Sequence, residues 1–296
     1  MPEENDVIGE RFPARSDVPE APPAALRYRR AFEIGPALGR LWAARNIVVG
    51  LVVRQLRTTY SQQVLGLAWA LMTPLAQMLV FTVILNRVGK KSGLETFGVP
   101  TSLWLFVGLV AWSFFASGVA SGGTSLIGNP LLNKIYAPRE VFPIAQITSS
   151  LVNAFASALM LPILILVTGH GISITSLYVP IPLLILLVYT TAISLFVSAI
   201  TVYARDLRSG LPLLLQLGMF MPGVLYASKA VPSAWRGVYA AAFPVGPLID
   251  QLRRCFFLNL APKPGVLAIA AVASLAWLFA GFMFFKRLET GFADVS

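Results

Sequence analysis

The feature that most constrains this chain is a series of apolar runs, each near the length that crosses a bilayer. A helical span needs roughly 20 apolar residues, because each residue advances it by about 1.5 Å. Residues 64–85, 103–120, 141–167, 177–202 and 266–285 meet this description, and 211–225 forms a shorter sixth run. Only 12% of the 296 residues are charged, against 56% hydrophobic. That is too little polar surface to coat a domain of this size in water, where charged residues average about 25%. Runs of this kind become helices in hydrocarbon, since only a helix satisfies its own backbone there. The expected fold is all-α integral membrane, with six transmembrane helices.

The segments between the runs differ in character. Residues 1–35 are acidic, Pro-rich and Arg-rich, have no apolar stretch of signal length, and are expected to form a disordered cytoplasmic tail. Residues 36–296 are then the transmembrane domain. Within it, residues 36–59 are amphipathic at helical period. Leu38, Leu41, Trp42, Val49, Val52, Val53 and Leu56 fall on one side, and Arg40, Arg54, Arg57 and Thr58 on the other. The apolar stretch between Arg45 and Arg54 is too short to span, so an interfacial helix is expected. A cytoplasmic helix packed on a partner is compatible with the same pattern.

Residues 226–263 are half apolar and broken by Pro232, Pro244, Pro247 and Pro262. A re-entrant outer hairpin between spans five and six, or short helices at the outer surface, fits them. Asp250 stands i, i+3 from Arg253 and i, i+4 from Arg254, so either arginine can pair with it on one helix face. Pro244, Pro247, Asp250, Arg253 and Arg254 are therefore the expected outer gate.

The net charge of +10 points to nucleic acid or to an anionic membrane surface. Its basic residues flank the apolar runs, which favours the membrane. With both termini cytoplasmic, 15 of the 23 Lys and Arg face inward. Absences narrow the mechanism. No Asp, Glu, Lys, Arg or His lies well inside a span, which disfavours proton or sodium coupling. The outer loops offer only Glu95 and Asp250 as carboxylates, far apart in sequence, which argues against a membrane-embedded enzyme acting on lipid-linked sugars. A single histidine, His170, and a single cysteine, Cys255, make neither a metal cluster nor a disulfide. The Gly118–Gly122 pair predicts close helix packing, and Gln77, Gln146, Asn153 and Thr190 predict hydrogen bonds between helices.

Four stretches line up with one family. Arg54-Gln55-Leu56-Arg57-Thr58-Thr59-Tyr60 leads through Leu65-Gly66 and Trp69 to Pro74. Asn129-Pro130 leads through Lys134 and Tyr136 to Pro138-Arg139-Glu140-Val141-Phe142-Pro143. Tyr203-Ala204-Arg205-Asp206-Leu207 closes the fourth run, and Pro244-Val245-Gly246-Pro247-Leu248-Ile249-Asp250 precedes Arg253. In this order and topology they resemble the permease subunit of the ABC-type polysaccharide export family. The chain departs from that family in having Arg54-Gln55 where an Arg-Asp pair is common.

The resemblance implies a homodimer in the bacterial plasma membrane with two copies of a cytoplasmic ATPase docked beneath it. ATP and Mg belong to that partner, and this chain itself binds no cofactor. The implied cargo is a polysaccharide on a polyprenyl diphosphate lipid; an ABC exporter of a drug or small lipid would share the fold. Arg54, Arg57, Lys134, Arg139, Glu140, Arg205 and Asp206 are the implied ATPase-coupling residues. The resemblance also implies an aromatic-lined channel between protomers, with Phe81, Trp104, Trp112, Phe114 and Phe115 as candidates.

Overall fold

The computed structural model describes residues 39, 41–61, 68–88, 96–129, 131–132, 137–171, 173–204, 206–221, 223–225 and 227–289. The expected tail, and Lys134 and Arg205, lie outside the described residues.

The regular elements among the described residues are all helices, without strands. The elements in order are α1 (Arg45–Tyr60), α2 (Ala68–Val88), α3 (Thr101–Gly123), α4 (Val141–Ala158) and α5 (Leu161–Thr168). A 3₁₀ turn (Ile174–Tyr178) leads into α6 (Pro180–Tyr203). Then come α7 (Leu207–Gly218), 3₁₀ turns at Ser228–Ala230 and Ser233–Trp235, α8 (Arg236–Ala242), α9 (Val245–Phe257) and α10 (Pro264–Glu289). Among the described residues, five stretches are long and apolar enough to cross a membrane: Ala68–Arg87, Thr101–Gly123, Val141–Thr168, Ile174–Tyr203 and Pro264–Glu289. The third bends where α4 gives way to α5. Pro162 enters at the start of α5 and cannot continue the hydrogen-bond ladder from α4.

The expected fifth span is not a continuous helix. Within 211–225, α7 stops after 12 residues in all, or about 18 Å, and turns follow. Pro212 removes one ladder bond inside it, and beyond its end Gly223 takes φ 102°, a conformation no α-helix continues through. The segment nevertheless runs the length of α3. Leu211 lies against Gly123, Gly218 meets the ring of Trp112, and the Val224 carbonyl reaches Gly108. A short helix plus a run of turns thus covers the distance that a single span was expected to cover.

α3 is the axis of the bundle. Most of its side chains are buried, and it packs on α2, α4, α5, α6, α7 and α9. Gly118 and Gly122 make this possible: a methyl group on either would overlap Thr190 or Ser194 of α6. The small pair is a helix seam inside one chain. Against the other side of α6 lies α10, along most of its length. Its buried residues, Ala270, Ala273, Ser274, Gly281, Phe285 and Glu289, share one helical face, and the Ala192 carbonyl sits on Gly281.

Candidate functional site

Chemistry-bearing side chains gather at the two ends of the bundle. At one end, α1 is clasped to α4 by side chains. Gln146 Nε2 donates to Gln55 Oε1 at 3.2 Å, and the Tyr60 hydroxyl donates to Asn153 Oδ1 at 3.0 Å. These are the expected inter-helix bonds of Gln146 and Asn153, and both go to the amphipathic helix. Thr190 instead bonds the Leu186 carbonyl of its own helix. A cleft of about 170 Å³ remains between α1 and the start of α4, lined by Arg54, Gln55, Thr58, Asn129, Phe142 and Gln146 among others. Arg54 and Arg57 are exposed beside it.

Glu140 and Lys286 meet at the same end. Glu140 precedes α4 and is only 4% exposed; one of its oxygens receives the Lys286 ammonium. The same ammonium reaches Glu289 Oε2 at 2.7 Å. Beneath these three groups Leu126, Phe142, Leu195, Ala199 and Phe285 form a small buried apolar cluster, separate from the main core.

At the opposite end Arg253 is wholly buried. Its Nε donates to the Trp104 carbonyl at 3.0 Å, Nη1 to the Gly223 carbonyl at 2.9 Å, and Nη2 to the Val224 carbonyl. Nη1 also pairs with Asp250 Oδ1 at 3.3 Å. Asp250 in turn accepts the Ser228 backbone N–H at 2.8 Å. Burial pushes the guanidinium down to about 10 against the pull of Asp250, so it stays charged at neutral pH. Burial, the larger effect, pushes the Asp250 carboxyl up, while Arg253 and the Ser228 N–H hold it down. Space for this knot comes from glycine. A Cβ on Gly108 would strike the guanidinium, and one on Gly223 would strike the Gly246 backbone.

The sequence over residues 48–257 matches the ABC-2 type transporter family. The chain belongs to that family. As an ABC-2 protein it is a multi-pass membrane permease subunit that works with a separate ABC ATPase, and it is not itself an enzyme. It is 27% identical over 256 residues to an O-antigen export system permease protein of Myxococcus xanthus, covering 86% of this chain and 96% of the relative. Two permeases of the same name from Klebsiella pneumoniae are 23% and 22% identical, each over 84% of this chain and 95% of theirs.

The expected site residues of this ABC-2 permease fall into three groups. Of the coupling set, Arg54, Arg57 and Asp206 are exposed and Arg139 half-buried, whereas Glu140 is buried and paired inside the chain. Lys134 and Arg205 lie outside the described residues.

The channel candidates differ in exposure. Trp104, Trp112, Phe114 and Phe115 are all buried in the main apolar core of this chain. Trp112 and Phe115 pack with Phe243 and Tyr189 as an internal aromatic cluster. Only Phe81, half-buried edge-on to Phe220, comes near a surface.

In the third group, Asp250 pairs with Arg253 and not with Arg254, which turns to the Ala261 carbonyl at 3.3 Å. Pro244 and Pro247 do not interrupt a helix. Pro244 is the N-cap of α9 and Pro247 lies in its first turn, where backbone N–H groups have no helical partner to lose. Sequence reasoning missed Lys286 and Glu289 as site residues; lysine after a last span reads as an ordinary boundary signal.

Proposed function

We propose that this chain is the membrane-spanning subunit of an ATP-driven exporter that moves a polyprenyl-diphosphate-linked polysaccharide across the bacterial plasma membrane. The observation that carries the reading is similarity along nearly the full length of three permeases named for O-antigen export. Two copies form the passage and two ATPase subunits, holding ATP and Mg, dock on the cytoplasmic side. Both termini lie there, and residues 207–225 supply the sixth crossing. Their course along α3 supports this count, because an even number of crossings returns the chain to the side on which α2 begins. The cytoplasmic face is then the end bearing Arg54, Arg57 and Arg139, and the dock is formed by α1 together with residues 134–140. The Arg253 end faces outward, where α8 and α9 form the re-entrant hairpin.

The break in the fifth crossing is closed by the chain itself. Backbone carbonyls freed by a break cost several kcal/mol each in hydrocarbon unless they are satisfied, and Arg253 satisfies two of them. Irregular backbone at that depth is tolerable only beside protein or a water-filled space.

Depletion of the chain from its host tests the reading directly. Polysaccharide on its lipid carrier is expected to accumulate on the cytoplasmic side while surface polymer falls. Normal surface polymer in depleted cells would instead support a drug or small-lipid exporter.

A further inference from the structure

At the cytoplasmic end Glu140, Lys286 and Glu289 form a largely buried charged cluster. Glu140 closes the segment 134–140 and begins α4, while Lys286 and Glu289 belong to the last turn of α10. α10 lies along α6, and its backbone makes at most glancing contact with α4. The two are joined by side chains: the ion pair from Lys286 to Glu140, and the apolar cluster beneath it that brings Phe142 and Phe285 into one core. Leu51 of α1 and Leu131 and Leu132 of the preceding loop pack onto that core.

The tie is not redundant. The second oxygen of Glu140 is buried with no hydrogen-bond partner among the described residues, so the carboxylate depends on a single ammonium that it shares with Glu289. Two carboxylates on one lysine, mostly out of water, hold only in the arrangement that satisfies both.

Resting on the reading of residues 134–140 as part of the ATPase dock, we infer that Lys286, Glu140 and Glu289 are positioning residues that make the end of the last span part of the coupling unit. A push on the docking segment is then carried to α10, and through α10 to α6, as well as to α4. The base of α1, the loop around Leu131, the start of α4 and the end of α10 move as one block.

The test uses the full permease with its ATPase subunit, in a Cys255→Ser background. Glu140→Cys with Lys286→Cys removes the ionic tie. The expected result is a complex that assembles and hydrolyses ATP but exports about tenfold less polymer per ATP, within the usual range of coupling between sites. A short bifunctional thiol reagent bridging the two cysteines is expected to restore the ratio. Wild-type coupling without the bridge would overturn the inference, and so would a bridged, assembled complex that stays uncoupled.

A second measurement does not depend on the cargo. Spin labels at Ala137 and Arg287, with Glu140 and Lys286 intact, are expected to keep one distance in the nucleotide-free and ATP-trapped complexes. A distance that changes between the two states would overturn the rigid block whatever the complex exports. If the wild-type complex exported no polymer, the cargo reading would fall and the label distance alone would decide the block.

Discussion

The guanidinium of Arg253 lies over the indole of Trp104, its carbon 4.4 Å from the ring centroid, while its Nε donates to the carbonyl of the same residue. One side chain of α9 thus holds the first turn of α3 by ring and by backbone. It also holds the end of the broken fifth segment through Gly223 and Val224. Cation–π contact of a desolvated arginine contributes about 2 kcal/mol, and the carbonyl bonds satisfy groups that would otherwise stand open.

Replacing Arg253 is therefore expected to unfasten three elements at once. Arg253→Met leaves Asp250 and several carbonyls unpaired, at a cost of about 3–5 kcal/mol. Arg253→Lys should recover only part of this, since an ammonium has no planar fork to reach three carbonyls. Thermal unfolding of the detergent-purified protein would show both, with Met below Lys below wild type. Gly108→Ala should resemble Arg253→Met, because its methyl group occupies the guanidinium site. A melting temperature for Gly108→Ala equal to wild type would refute this packing.

Asp250 has a separate task, since it also fixes the turn that begins at Ser228. Asp250→Lys sets two cations together and should open the hairpin. Resting vesicles are then expected to leak small solutes while the ATPase stays bound. Asp250→Asn keeps an acceptor for the Ser228 N–H and should leak less. Tight vesicles with a stably assembled Asp250→Lys variant would reduce α8 and α9 to a surface cap.

Among the proposed docking residues, exposure separates two kinds of lesion. Arg54→Glu, Arg57→Glu and Arg139→Glu should lower ATPase co-purification and leave the permease folded. Glu140→Lys should act differently, because Glu140 faces Lys286 and not the surface. It is expected to lower the melting temperature of the isolated permease, as breaking a buried ion pair does. Equal melting temperatures for Glu140→Lys and Arg139→Glu would count against that distinction.

Orientation is open to thiol labelling. In a Cys255-free background, cysteines at positions 206 and 290 should resist an impermeant reagent added outside intact cells, and one at position 90 should react. External labelling at 206 would reverse the assignment of both ends.

The helix seam makes a last prediction. Gly118→Leu or Gly122→Leu drives a branched side chain into Thr190 or Ser194 of α6. Overpacking of this kind costs about 1–3 kcal/mol or more. Expression of folded permease, read by size-exclusion chromatography, should drop for both. Gly128→Ala meets no neighbouring atom and carries only the strain of φ 62°, so its loss should be smaller.

What the sequence determined by itself was the solvent and the helices. Apolar runs near 20 residues can satisfy their backbone in lipid only as helices, and this is a local property of composition and length. Five of the expected spans accordingly appear within a few residues of their expected limits. The small pair Gly118–Gly122 and the i, i+3 spacing of Asp250 and Arg253 were legible for the same reason, since helical periodicity alone brings such residues onto one face.

Which face meets which neighbour was decided only by tertiary structure. The aromatics of 104–115 read in sequence as channel lining or as a lipid-facing belt, because an apolar run carries no mark of its partner. The packing of six other helices on α3 places them in this chain's core. The choice of Arg253 over Arg254 for Asp250, the fracture of the fifth run beside Gly108, and the meeting of Glu140 with Lys286 join residues far apart in sequence or depend on such neighbours. Buried charges find partners wherever packing places them, and no spacing along the chain encodes that distance.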